Sequence, residues 1–229
     1  MAGISLERFA KGINVKPGKY ARKFWTWGDA VYWHKYEIPY ADANTFECFN
    51  DEWACDSKHV YHLASRLRGA DVKTFEILNR IFCKDKHHVY CSDGIAKRCD
   101  PKSFEVLDQG TARFCGASCG YAKDKQNVYF HDSGEGNAKL IRGANRDSFR
   151  VIRGGYATDG KRVYVFGRRI PKANAETFQP INALYSKDAN RVYYLNFEMM
   201  DKVDMATFKT TGRETAKDKD RTYKRYYAD

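Results

Sequence analysis

Acidic side chains recur along this chain at intervals that invite a reading as catalytic carboxylates. Asp56, Asp85, Asp124, Asp159, Asp188 and Asp218 each stand five residues before a tyrosine. A carboxylate beside a second titratable group could act as general acid or base. Every copy has the same kind of neighbours, however, so no pair is set apart with one group to give a proton and another to take it. The chain also has no phosphate-cradling glycine loop, no G-x-S-x-G elbow and no H-E-x-x-H helix. An enzyme is therefore not expected, and no cofactor is called for.

Cysteine and histidine suggest a second chemistry, metal binding. Cys115 and Cys119 form a C-x3-C pair, Cys83, Cys91 and Cys99 lie eight apart, and His59 and His62 follow Cys55. A structural zinc site needs four ligands, commonly as two such pairs. The lone C-x3-C lacks its second pair, and small buried cysteines are common as inert core residues. His59 falls at a turn position that His88 also holds one period later, which argues for turn chemistry. No metal site is expected. Seven cysteines with no apolar leader between Met1 and Lys19 point to reduced thiols and a cytoplasmic protein.

The third chemistry is electrostatic. Forty Lys and Arg against 29 Asp and Glu leave a net charge of +11, so acidic partners are favoured. Basic residues among aromatics could serve nucleic acid, by stacking and by phosphate neutralisation. Yet the 16 Tyr and 14 Phe are the main core material available, and a fold that exposes them loses its interior. A basic nucleic-acid-binding repeat protein thus stands as an alternative, as does a scaffold with an unknown protein partner. No stretch approaches the length of a membrane-spanning helix, so a membrane partner is not expected.

Two short motifs position all of these groups. One reads Asp/Asn, two residues, Ser/Thr, Phe: Asp42–Phe46, Asp71–Phe75, Asp100–Phe104, Asn145–Phe149, Asn174–Phe178 and Asp204–Phe208. Its first residue suits a helix N-cap, which predicts one short helical turn per copy. The other reads Asp, three polar residues, Val, Tyr, and ends at Tyr61, Tyr90, Tyr129, Tyr164 and Tyr193, with Thr222 replacing Val before Tyr223. A degraded first copy ends at Val31-Tyr32, with Trp27 where the Asp belongs. An aromatic often precedes the Asp by three residues, as Trp53, Phe82, Tyr121, Tyr156 and Tyr185 do. This pattern predicts strand, turn, strand.

From motif Phe to the next motif Asp is ten residues in five of six cases, which sets a period of about 29 residues. The expectation is a mainly β chain of tandem β-hairpin repeats, with short helical turns between them. Residues 1–26 form a lead-in and residues 27–229 carry about seven units. Each unit offers two strands on this reading, too few for a four-stranded propeller blade.

The repeats resemble the DKNYY repeat family, most closely at Tyr121-Ala-Lys-Asp124-Lys-Gln-Asn-Val-Tyr129-Phe130 and Tyr185-Ser-Lys-Asp188-Ala-Asn-Arg-Val-Tyr193-Tyr194. The resemblance brings no catalytic residue. Some proteins that look like this are encoded beside polymorphic toxins. It therefore implies a cytoplasmic immunity protein that binds and neutralises a cognate antibacterial toxin domain. Two insertions break the period, near residues 107–120 and 131–137, and both flank the hairpin that ends at Tyr129. Insertions in repeat arrays form loops, often on the binding face. Arg113, Phe114, His131, Asp132 and Glu135 are accordingly the candidate partner-binding residues.

Overall fold

The computed structural model describes residues 23–91, 94–112, 118–132, 137–199, 203–225 and 227–228. They form seven antiparallel sheets in chain order, and all but the fourth are meanders in which neighbouring strands are joined by short turns. The second sheet is representative: Glu47–Cys48, Trp53–Cys55, Val60–His62 and Ser65–Leu67 pair in that order. The third, fifth, sixth and seventh sheets repeat the same four-strand order. The first has three strands, Phe24–Trp27, Ala30–Trp33 and Tyr36–Glu37, which correspond to the last three of the others.

A regular unit therefore carries four strands, not the two read from sequence. The inner pair holds the Tyr and Val that give a strand signal. The outer strands are often only two residues long, too short for alternation to register. The single helical turns are also corrected. Among the described residues only Val72–Thr74 closes as a three-residue 3-10 turn, and there is no α-helix. Phe75 follows it in an extended conformation, with φ −69° and ψ 130°. That places its ring under the sheet and ends the helix after one turn.

The insertion at 107–120 builds structure of its own. Thr111–Ala112 pairs with Ser118–Lys123 and adds a fifth strand to the fourth sheet. The central hairpin there is also longer, with Ser118–Lys123 against Val128–Asp132.

Aromatic rings join unit to unit. The motif Phe of each unit packs on the motif Tyr of its own sheet: Phe46 on Tyr61 at 5.6 Å, Phe149 on Tyr164 at 5.5 Å, Phe208 on Tyr223 at 5.9 Å between ring centroids. The same Phe also meets the second-strand aromatic of the preceding sheet. Phe75 lies 5.5 Å from Trp53, Phe104 5.2 Å from Phe82, Phe149 5.5 Å from Tyr121, and Phe178 5.6 Å from Tyr156. Tilted and edge-to-face pairs of this kind add about 0.5–1.5 kcal/mol each beyond the area they bury. Buried clusters accordingly straddle adjacent sheets, as where Trp53 and Leu67 of the second sheet pack with Cys83 and Tyr90 of the third.

Candidate functional site

The repeated Asp is the polar hub of each unit. Asp188 Oδ1 accepts the backbone N–H of Asn190 and of Arg191, both at 2.8 Å. Its Oδ2 accepts the Tyr193 hydroxyl at 2.8 Å and the backbone N–H of Asn174 at 2.9 Å. The first pair closes the hairpin turn. The second pair ties that turn to a strand residue and to the start of the unit. The same four bonds recur at Asp56, Asp85, Asp124, Asp159 and Asp218, with Tyr-to-Asp distances between 2.6 and 2.9 Å.

A second tie runs the other way. In five of the six units the residue after the hub donates its N–H to the Ser or Thr of the first motif, as Lys86 does to Thr74 Oγ1 at 3.2 Å and Lys125 to Ser103 Oγ at 3.0 Å, while at Asp159 the Ser148 hydroxyl donates to the hub carbonyl. This explains why Ser or Thr, rather than the Glu or Gln of a capping box, holds that position.

Burial alone would raise the hub carboxyls. The donors at Tyr193, Asn174, Asn190 and Arg191 outweigh it and hold Asp188 below the usual carboxylate range. Asp56, Asp85, Asp124 and Asp159 are lowered by the same balance. The tyrosines respond in the opposite sense, and burial together with the hub carboxylate pushes Tyr164 up to about 12. Each Asp–Tyr pair is thus an ionised acceptor with a neutral donor, fully engaged in holding the turn. This geometry closes hairpins.

His59 and His88 behave as their shared turn position suggested. Their Nδ1 atoms lie 3.4 Å from the Tyr61 hydroxyl and 3.3 Å from the Tyr90 hydroxyl. Cys119 is buried in the fourth sheet, and Cys115 lies outside the described residues.

Of the candidate partner-binding residues, Arg113, Phe114 and Glu135 also lie outside the described residues. His131 and Asp132 continue the third strand of the fourth sheet, opposite Gly120 and Cys119, and both are buried. The His131 ring stands edge-on to Phe82, 5.9 Å away. The insertion that begins there first lengthens a strand, which seats these two side chains in the interior.

A repeated element missed in the sequence lies at the opposite ends of the sheets. Asn50 Oδ1 accepts the N–H of Glu52 and of Trp53, both at 2.9 Å. Asn79 does the same for Ile81 and Phe82, and Asn182 for Leu184 and Tyr185. Asp108 takes the equivalent place, accepting from Gly110 and Tyr121. Asn50, Asn79 and Asp108 are 29 residues apart in turn, so the signal was present as a third periodic position. The Asn79 amide also donates to the Asp108 carbonyl at 2.9 Å, linking consecutive turns.

These turns line a groove of about 710 Å³ that runs over four consecutive units, from Lys23 past Asp51 and Glu52 to Arg80, Gln109 and Ser118. Its lining carries both signs of charge together with Trp53 and Ile77.

A third surface is formed by the last strand of each unit and the residues that follow. In the second to fifth units the segments read SRLRG at 65–69, GIAKR at 94–98, KLIRG at 139–143 and RRIPK at 168–172. The middle residues Leu67, Ala96, Ile141 and Ile170 are buried. All the Lys and Arg in these segments are exposed.

Comparison with known proteins gives one match. A family model described as the DKNYY family covers residues 53–197. No curated protein and no solved structure matches the chain. Among the described residues, no helix is long and apolar enough to cross a membrane.

Proposed function

Since the chain belongs to the DKNYY family, we propose that it is a binding protein that holds and neutralises a toxin domain, acting without catalysis as an immunity protein in the cytoplasm. One observation carries the binding part of this reading. The groove over the first four units is assembled from equivalent turns of successive sheets, so it is an extended surface of the kind repeat proteins present to macromolecules. The engagement of every described hub carboxylate in turn closure supports the non-catalytic part. The toxin as partner rests on the family resemblance.

The test is co-expression of the product of the adjacent reading frame with and without this chain. Growth arrest by the neighbour, relieved by this chain and by a one-to-one complex on size exclusion, is the expected result. A harmless neighbour, or an arrest that this chain leaves untouched, refutes the toxin reading.

A further inference from the structure

The last strands of the second to fifth units differ from the rest of the surface. The four segments at 65–69, 94–98, 139–143 and 168–172 each hold two or three cations and no carboxylate. In the first unit the equivalent place is taken by Glu37, and in the sixth by Glu198. Glu198 already pairs with Lys172 at 3.4 Å and Arg191 at 3.2 Å, so the basic strip ends there. On the opposite edge of the same sheets, the first strands of the second to fourth units carry exposed Glu47, Glu76 and Glu105. There Glu76 and Glu105 pair with Lys84 and Lys123, and the first strand of the fifth unit carries exposed Arg150 and Arg153 instead.

The strip is continuous from unit to unit. The Asn137 amide donates to the Ile95 carbonyl at 3.1 Å, joining the third and fourth units. Arg162 donates to the Gly143 carbonyl, joining the fourth and fifth. Ile141 and Ile170 share one buried cluster beneath it. At the outward position, Arg66 and Arg169 stand in the outer two units, and Ile95 and Leu140 in the inner two. Ile95 is 40% exposed and Leu140 37% exposed. The strip therefore has an aliphatic centre and a cationic surround.

From this arrangement we propose that the strip is the docking surface for an acidic protein partner with an apolar centre of its own. A hydrophobic middle within a charged rim is the anatomy of protein interfaces. Single-stranded nucleic acid is served instead by aromatic platforms, and the centre of this strip is aliphatic. The cations would steer an acidic partner and fix its register, while Ile95 and Leu140 exclude water at the middle. This rests on the reading of the chain as a protein-binding module and names the chemistry of the partner.

The test uses the full chain and three probes: a synthetic helical peptide with acidic residues around a leucine stripe, an oligothymidine strand, and anionic phosphatidylglycerol vesicles. Arg66, Lys97, Arg142 and Arg169 are changed together to Glu. A control changes the exposed Lys58, Lys161, Lys209 and Lys217 to Glu, for the same change in charge. The peptide is expected to bind, to lose about tenfold or more in affinity on the strip variant, and to keep its affinity on the control. The Ile95→Ser, Leu140→Ser double variant, with all cations intact, should also weaken the peptide by several-fold.

Peptide binding that survives both strip variants overturns the proposal. So does oligothymidine or vesicle binding that exceeds the peptide's and ignores Ile95 and Leu140, since the strip would then be a general polyanion site. The co-expression assay separates this from the toxin reading. A strip variant that still relieves growth arrest as well as wild type sinks the strip alone. A strip that binds the peptide in a chain that relieves nothing sinks the toxin reading alone.

Discussion

Asp100 donates its backbone N–H to Asp124 at 3.1 Å across 24 residues, while the equivalent pair Asp71 and Asp85 makes the bond at 2.8 Å across 14. Ten additional residues leave the hub geometry nearly unchanged. The hub, not the length of chain between its partners, sets the form of the unit. Asp188→Ala would leave four donors without their acceptor and should cost about 3 kcal/mol, whereas Tyr193→Phe, which removes one donor and keeps the ring, should cost about 1 kcal/mol. Urea unfolding followed by far-UV circular dichroism measures both. Equal costs would show that the four bonds do not act together.

Acid should unfold the protein through the hubs. Their folded-state carboxyls are held below the ordinary value, so the unfolded chain takes up protons first as pH falls. Asp71, lowered to about 2 by Lys86 and Thr74, follows the same sense. The stabilisation is complete above the unfolded carboxylate value of about 3.9 and drains away below it. Urea midpoints should hold steady from neutral pH to about 5 and then drop toward pH 2. Midpoints that rise on acidification contradict the hub as an ionised acceptor.

The thiols of Cys48, Cys55 and Cys83 should be silent in the native state. Burial pushes Cys48 up to about 12 and Cys55 up to about 11, and it raises Cys83 as well. Thiolate is the reactive form, so these three should resist iodoacetamide at pH 8 and label only after unfolding. Peptide mapping by mass spectrometry reads the sites. Rapid native labelling of Cys83 would mean that the seam between the second and third sheets opens.

Two glycines in left-handed conformations should differ sharply on substitution. Gly69, with φ +81°, faces open space, and Gly69→Ala meets backbone strain alone, about 1 kcal/mol. Gly155, with φ +86°, has the Phe166 ring where a Cβ would stand, and its carbonyl accepts the Tyr121 hydroxyl at 2.8 Å. Gly155→Ala should cost about 3 kcal/mol or more, since strain and overpacking add. Thermal melts of the two variants, compared directly, decide the point.

The inner hairpin of every unit was legible in the sequence, because Val-Tyr strands and Asp turns repeat in register. The aromatic three residues before the Asp is the partner that the next unit's motif Phe meets, a pairing between units that spacing alone does not reveal. The outer strands escaped, since pairs such as Glu47–Cys48 owe their conformation to ladder bonds with a neighbour rather than to any local preference. His131 and Asp132 read as loop residues because they begin an insertion, yet strand pairing with Gly120 and Cys119 continues through them. One covariation was visible and went unread. Lys follows the hub in three of the four copies whose first motif begins with Asp, where Lys86, Lys125 and Lys219 pair with Asp71, Asp100 and Asp204, while the Asp42 copy has Ser57. Where it begins with Asn145 or Asn174, the position holds Gly160 or Ala189.

The Phe that each unit sends against its predecessor has a consequence for how such a chain can change over generations. Each internal unit sends one ring back to its predecessor and receives one from its successor, so the two faces of such a unit are complementary to those of its fellows. Excising a complete period leaves the survivors with matching faces, while removing a single residue from a hairpin turns its strand over and exposes the ring. Gains and losses of length should therefore be tolerated in two sizes only: a whole period, or an arbitrary stretch between hub partners, as in the fourth unit. The copy number of such an array can drift freely while its phase stays locked.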